Sequence, residues 1–568
     1  MNDQSGRFDE VFDVVVVGSG AGGMAAALAA RKAGLDVIVL EKTDWIGGST
    51  AISGGAVWIP KNPHLADVGL DDDDAQVMAY LRAILGNRLR PDLIEAFLEN
   101  GPRMVSFLER ETDVIFQARA YSPDYQPDVP GAALGGRTID PVPFDGRALG
   151  RNFGLLRPPL KEFLAFGGMM VNRKDIDALL GMPRSVSNFR HGMEILLRYF
   201  TDRLSYPRGT RLLMGNALAG RLLKSALDVR IALRTRTAAR QLVLADGRVT
   251  GLVAEHQGRM LTIGARRGVV LAAGGFPAND AMRSQFVPFA DAHRSMAPAA
   301  NAGDGIRLAL AAGGVIEEDN IGNAFWAPVS TLRRADGTEI RFPHLILDRQ
   351  KPGLVAVNGA GRRFVNEATS YHEFVEAMHR SHETAPTIPA ILICDRRFIR
   401  RYGLGLVRPG LRRLRPFIDA GYLVEAGTIR ELAGKLGIDP DALSDTVRRM
   451  NEYAASGQDP EFGKGASAYN RYLGDPAHEP NPCLGPIATA PFYAVRVWPG
   501  DIGTAAGLKV DARARVLDRG GEPIPGLFAC GNDMNSIMAG AYPGAGITLG
   551  PALTFGYIAG QEMARPPA

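Results

Sequence analysis

The sequence predicts an α/β fold built on a Rossmann-like dinucleotide-binding unit near the N-terminus. Three observations predict it: an apolar strand pattern from Phe12 to Val17, the turn Gly18-Ser19-Gly20-Ala21-Gly22-Gly23 directly behind it, and an alanine-rich helix to Arg31 leading into a second strand, Asp36 to Leu40, that ends on Glu41. Strand, turn, helix, strand and acid follow in the order such a unit requires. Gly18 permits the tight turn, Gly20 lets backbone approach a diphosphate, and Gly23 lets the helix lie close to the strand. Ala21 and Gly22 fall where the helix opens, so its free N–H groups and partial positive charge meet the diphosphate. Glu41 is placed to accept hydrogen bonds from ribose hydroxyls.

A chain of 568 residues with 46% hydrophobic content can bury a large core and is expected to form two domains rather than one. The formal net charge of +4 is small for this length, which argues against nucleic acid as a partner. Cys394, Cys483 and Cys530 lack CxxC spacing and nearby histidine pairs. No disulfide scaffold or metal site is expected; the three read as small buried apolar residues. No long uninterrupted apolar run suggests a membrane span, and the polar N-terminus lacks the apolar core of a leader, so a cytoplasmic location is expected.

Two double-glycine turns, Gly47-Gly48 and Gly54-Gly55, follow within Lys42 to Pro60 and offer flat backbone to a planar ring. On these residues, and on Ser53-Gly54-Gly55-Ala56-Val57-Trp58-Ile59-Pro60 in particular, the chain resembles the flavoprotein group of soluble fumarate reductases and 3-ketosteroid dehydrogenases. The resemblance implies non-covalent FAD and a Rossmann-like FAD-binding domain with an inserted α+β catalytic cap domain. It implies that Lys42, Gly48, Ser49, Thr50, Ser53, Gly54 and Gly55 join the first glycine turn around the cofactor.

The remaining elements follow in chain order. Asp71 to Glu111 carries helical periodicity, with Met78, Leu81, Ile84 and Leu85 on one face. Tyr121 to Arg137 is too rich in proline and glycine for regular structure. Residues 157–208 mix apolar clusters, among them Phe163-Leu164-Ala165-Phe166, with an excess of basic residues, and are expected to form a helical excursion. Such a segment is also a candidate for peripheral contact with an anionic membrane. Strands are expected at Val229–Leu233, Arg240–Ala245 and Val249–Ala254, and the run Gly268 to Phe276 resembles the strand that re-enters the FAD domain in this group, which implies that it delivers Ala273 and Gly274 beside the dinucleotide. A composition change near Pro277 gives the expected division: 9–277 for the first part of the FAD-binding domain, 278–488 for the catalytic domain, and 489–568 for a C-terminal return. That return, from Pro491, is expected to bring Gly531 and Asn532 to the flavin and to end in a helix opening at Gly546, Thr548 and Leu549.

The closer resemblance is to the Δ1-type 3-ketosteroid dehydrogenases. It implies 1,2-dehydrogenation, with a hydride leaving C1 for flavin N5 and a proton leaving C2 for a tyrosine base. Matching Tyr-Pro-Gly-x-Gly gives Tyr542 as hydroxyl donor to the ketone and Gly546 as backbone donor; together they hold enolate charge. The tyrosine after Arg-Phe-x-Asn-Glu gives Tyr371 as base, and the Pro-Asp-Tyr loop gives Tyr125 as its assistant, with Tyr121 as a further option. A free phenol ionises near pH 10, so neighbours must favour the phenolate or activity must rise into the alkaline range. His372, beside Tyr371, reads as structural. The implied partners are a steroid-like ketone and an external electron acceptor, quinone-like or an artificial dye. The rivals are a Δ4(5α)-type 3-ketosteroid dehydrogenase, a fumarate-reductase-like enzyme acting on another ene substrate, and a flavin-binding module without turnover.

Overall fold

The computed structural model describes residues 8–161, 164–182, 185–334 and 336–566. Phe163 and the polar N-terminus before Phe8 lie outside them. The first strand, Glu10–Val17, pairs in parallel with Val37–Leu40 on one side and with Arg259–Leu271 on the other. Val14, Val15 and Val16 are wholly buried, as a strand covered on both faces must be. The helix Ala21–Lys32 covers one face of this sheet, and its run from Ala21 to Ala30 is buried. Alanine serves twice there, as the strongest helix former and as a side chain short enough for close packing. The C-terminal helix Leu549–Ala564 lies against it so tightly that a Cβ on Gly556 would sit 2.2 Å from the Gly22 carbonyl oxygen.

Arg259–Leu271 joins two kinds of pairing. Its first half continues an antiparallel meander with Thr237–Ala245 and Arg248–His256, and its end runs parallel to Pro523–Ala529. Each meander turn has two residues at positive φ, Asp246-Gly247 and Gln257-Gly258, the geometry that matches the twist of a two-residue hairpin. The expected strand at Gly268 is therefore the end of a longer one. The expected strand at Val229–Leu233 is shortened to Ala232–Arg234, because the helix Met214–Asp228 carries its buried face of Leu218, Leu222 and Ala226 up to Val229, its C-cap.

A second, antiparallel sheet runs in the order Glu339–Pro343, Ala324–Arg333, Phe492–Thr504, Ala390–Asp395, Leu354–Val357, with Val424–Ala426 also on Phe492–Thr504. This corrects the position of the C-terminal return. Phe492–Thr504 is central to the second sheet, pairing with Ala390–Asp395 through its first half and with Ala324–Val329 through its second. The first sheet is rejoined only at Arg515–Leu517 and Pro523–Ala529.

Within 157–208 the described residues form a small hairpin, Leu164–Ala165 with Met169–Met170, and the helices Arg173–Gly181 and Val186–Asp202. The loop 121–137 is irregular, as its prolines and glycines dictate.

Candidate active site

The glycine turn has the shape a dinucleotide needs. Gly18, at φ +107°, passes so near the end of Arg259–Leu271 that a Cβ would meet the Ala272 carbonyl at 2.1 Å, whereas a Cβ on Gly20 would meet nothing nearer than Thr50 Oγ1 at 3.8 Å. Gly20 is the open position, and as N-cap it supplies no side-chain cap to the helix behind it. A Cβ on Gly48 would point toward Gly20, and one on Gly54 into open space. Gly23 meets the Gly18 carbonyl, as close helix–strand packing requires. Two expected ligands have other work: Gly22 packs against Ala552, Cys530 and Gly556, and Gly55 against the start of Met214–Asp228.

Polar groups complete the cradle. Glu41 accepts from Ser19 Oγ at 2.6 Å and the Ser19 N–H at 3.4 Å on one oxygen, and from the Thr43 N–H and hydroxyl at 2.9 Å each on the other, which fixes the carboxylate at the end of the second strand. Thr50 Oγ1 accepts from the Ala21 N–H, Ser53 supports the turn to Gly55, and Lys42 is ion-paired with Asp304. Asn301 ties Ser49 to the Gly274 carbonyl, and buried Asp533 accepts the N–H groups of Ala273 (2.6 Å) and Gly275 (2.9 Å). Burial pushes the Asp533 carboxyl up to about 6. A narrow cleft lies against Phe325, Gly531, Asn532, Thr548 and Ala552, at the N-terminus of Leu549–Ala564. Thr548 makes no side-chain cap, and the Gly550 N–H of this helix end is taken by the Gly546 carbonyl at 2.9 Å. An open glycine position at the start of one helix, a cleft at the N-terminus of another and a fixed carboxylate at the end of the second strand fit FAD.

Three tyrosines from distant segments meet beside this region. Tyr125 donates its hydroxyl to that of Tyr371 at 3.0 Å. Tyr542 stacks on Tyr125 with ring centroids 5.2 Å apart and planes 6° from parallel, and meets Tyr371 edge-on at 5.2 Å. Tyr469, in the short helix Ala468–Leu473, lies 4.8 Å from the Tyr125 ring, and Phe325 packs edge-on against Tyr542. Tyr121 stands apart: it is 49% exposed and packs against Tyr472.

Supporting contacts explain the convergence. Tyr371 is the first residue of the helix Tyr371–His382, whose start is fixed by a reciprocal cap between Ser370 and Glu373. The Tyr125 loop is held through Asp124, which accepts from Trp58 Nε1 (3.0 Å) and pairs with buried Arg137, itself paired with Asp72. Pro543 joins both parts: its carbonyl accepts from the Tyr125 N–H and the Tyr80 hydroxyl. Gly546, at φ +100°, needs glycine because a Cβ would strike the Ala56 carbonyl and the Trp58 nitrogen at 2.6 Å. The constraint comes from the protein's own backbone at Ala56 and Trp58. His372 is buried, and its Nδ1 accepts from the Trp326 N–H, a structural role.

Burial dominates the ionisation of these phenols. Tyr371 is pushed well above its ordinary range by burial and by Tyr125 and Tyr542; Tyr542 also moves up, and Tyr125 is pushed up to about 12. Of the two expected alternatives, neighbours that favour the phenolate or a need for alkaline conditions, these shifts favour the second, since burial and both neighbouring phenols act in the same direction on Tyr371.

Asn301, Asp533, Tyr469 and Phe325 were not singled out for roles from sequence. Asn301 sits in the conspicuous Asn-Ala-Gly-Asp-Gly run, and Asp533 directly follows Gly531-Asn532. Tyr469 and Phe325 carry no local signal.

This geometry agrees with the class of protein the chain represents: by its match over residues 13–549, it belongs to the FAD binding domain family and is an FAD-dependent oxidoreductase. It is 40% identical over 97% of its length to the 4-oxocyclohex-2-ene-1-carboxylate 5-dehydrogenase of Sinomonas cyclohexanicum, covering 94% of that protein. Identity to the 3-oxosteroid 1-dehydrogenase of Mycobacterium tuberculosis strain H37Rv is 38%, over 97% of this chain and 98% of the relative. The crystal structure of 3-ketosteroid Δ1-dehydrogenase from Sterolibacterium denitrificans, in complex with 1,4-androstadiene-3,17-dione, superposes with a TM-score of 0.90 at 38% identity, covering 98% and 99% of the two chains.

Proposed function

We propose that the chain catalyses 1,2-dehydrogenation of a 3-ketosteroid, with the tyrosine cluster handling the proton and the enolate. The carrying observation is the meeting of Tyr125, Tyr371 and Tyr542 in one buried site. When bound, FAD supplies the two-electron acceptor for the hydride. Tyr542 donates its hydroxyl to the ketone oxygen, with the Gly546 N–H as second donor, and so makes the neighbouring carbon acidic. Tyr371 removes the proton from that carbon, and Tyr125 shares it through their hydrogen bond. Tyr121 lies too far out for this step. A quinone-like acceptor completes the cycle.

The resemblance to the steroid enzymes over nearly all of both chains favours this substrate class. A second reading, a monocyclic 4-oxocyclohexane or 4-oxocyclohexene carboxylate, is favoured by the relative at 40% identity. Both need an acidic carbon beside a ring ketone. A dicarboxylate fits less well: Arg119 is bound bidentately by Asp140, and Arg349 spends its donors on carbonyls. The test is a dye-linked assay on saturated and 4-ene 3-ketosteroids beside 4-oxocyclohexanecarboxylate, with mass spectrometry to locate the new double bond. Turnover of neither class overturns the proposal.

We also propose that 157–208 rests on an anionic bilayer. Val186, Phe189, Leu197, Phe200 and Leu204 are exposed along one helix and its end, Phe166 is exposed on the adjoining hairpin, and Arg190 and Arg203 are exposed beside them. No helix of the described residues is long and apolar enough to cross a membrane. Flotation with anionic but not neutral liposomes is expected; no association with either removes the proposal.

A further inference from the structure

Arg349 is one of the largest fully buried side chains, yet it forms no ion pair among the described residues. Its Nε donates to the His344 carbonyl at 2.7 Å, one terminal nitrogen to the carbonyls of Glu367 (2.9 Å) and Thr369 (3.3 Å), and the other to Leu345 at 3.1 Å. The Phe374 ring lies 4.8 Å from its central carbon. The two carboxylates within electrostatic reach are committed elsewhere: Asp348 to His344 at 2.7 Å, and Glu367 to Arg363 at 2.9 Å. Burial pulls the guanidinium down to about 10, so it stays charged at neutral pH.

The carbonyls of Glu367 and Thr369 stand just before Ser370, the N-cap of the helix that begins with Tyr371. Arg349 therefore fastens the turn that delivers the Tyr371 hydroxyl. Its charge is within electrostatic reach of Tyr371 and Tyr469. Tyr125 from the loop and Tyr542 from the C-terminal segment act on Tyr371 and both raise its value; on its own helix Glu373 is held in the Ser370 cap and His372 accepts from the Trp326 N–H, and Tyr469 packs on the Tyr125 ring.

We propose that Arg349 is a positioning residue for Tyr371, fixing the turn that carries the hydroxyl and supplying the buried positive charge that favours its phenolate. Carbonyl oxygens solvate the guanidinium without cancelling its charge, whereas a carboxylate partner would cancel it. Asp348 and Glu367 act on Arg349 from a distance, but neither pairs with it, so its charge still reaches the phenol in a site of low polarity. The proposal gives a chemical reason for an arginine where hydrogen bonding alone could have been met by neutral donors. It rests on the reading of Tyr371 as the proton acceptor.

The test follows the Tyr371 phenol itself. Difluorotyrosine is placed at position 371, and its ionisation is followed by fluorine NMR in the FAD-loaded protein, alone and with Arg349→Gln or Arg349→Lys. FAD content and thermal melting verify the fold. Arg349→Gln is expected to raise the midpoint by about one pH unit or more, while Arg349→Lys leaves it nearly unchanged. An unmoved midpoint in folded Arg349→Gln overturns the proposal. If the glutamine variant does not fold, Arg349→Lys decides: a midpoint near that of the parent supports the charge role, and a rise as large as one unit overturns it. The titration needs no substrate, so an inactive tyrosine site would show separately, as failure of the ketone assay.

Discussion

The hydroxyls of Tyr125 and Tyr371 lie 3.0 Å apart although 246 residues separate them. One is carried by an irregular loop and the other by the first turn of a helix, and Tyr542, from a third segment, lies against both rings. A proton can pass between the two phenols with almost no atomic movement. Both phenols are buried.

Tyr371→Phe removes the base and leaves the ring. It is expected to lower the rate of flavin bleaching by an anaerobic ketone about 100- to 10,000-fold, with FAD content unchanged. Tyr542→Phe should lose a comparable amount through the unsupported enolate, and Tyr125→Phe less. Parental turnover in Tyr371→Phe would remove the assignment.

Burial raises all three phenols, so little phenolate exists at neutral pH. Activity is expected to climb across about pH 6 to 10, by up to tenfold per unit where ionisation limits the rate. The measurement is kcat/KM against pH with a dye acceptor. A flat profile would show that some other group takes the proton.

The same shifts govern alkaline stability. The folded values lie above the roughly pH 10 of an exposed phenol, so the native state holds protons that the unfolded chain releases. The contribution is complete below the unfolded value and is lost as pH rises through the folded ones. Tyr80 and Tyr469, also buried and raised, add to it. The melting temperature should fall steeply above about pH 10, less so in Tyr371→Phe. Equal slopes in the two proteins would contradict this.

The dinucleotide unit was readable because all its parts are adjacent in the chain: Gly18, Gly20 and Gly23 each answer a need set by neighbours within a few residues. The site was readable only through resemblance, since nothing local in Tyr125 or Tyr371 shows that they meet. The expected return from Pro491 comes later in the structure for a related reason: the partners of Phe492–Thr504, Ala324–Arg333 and Ala390–Asp395, are set by tertiary packing. Arg349 gave no signal because its partners are backbone carbonyls, which every residue possesses.

Just before the Tyr371 helix in the chain, Glu367 belongs to a buried ionic cluster: Arg363 pairs with Glu367 and Asp459, and Lys464 lies 3.4 Å from Glu367. Burial raises the Glu367 carboxyl, but Arg363 and Lys464 outweigh it and hold the value below the usual range. Glu367→Gln leaves cationic charge uncompensated and should cost about 3–5 kcal/mol in urea unfolding. In the parent, this contribution is present above the ordinary glutamate value and lost as pH falls through the lowered folded one. Glu367→Gln should therefore also flatten the acid limb of the stability profile; an unchanged limb would place the acid sensitivity elsewhere.

Gly546 and Gly54 separate two uses of glycine. At Gly546 a Cβ meets the backbone of Ala56 and Trp58, and φ is +100°; at Gly54 a Cβ meets nothing within 4 Å. Gly546→Ala should therefore strain the chain itself, at about 1–3 kcal/mol, and lower the melting temperature even after FAD is stripped. Gly54→Ala should leave the stripped protein as stable as the parent, because no protein atom opposes the new methyl. If Gly54 faces the flavin, that methyl must instead oppose the cofactor, and the variant should show weakened FAD retention. Melting curves with and without FAD, with a fluorescence titration of FAD, distinguish the two. Equal losses by both variants in the stripped protein would show that Gly54, too, serves the fold and not the cofactor.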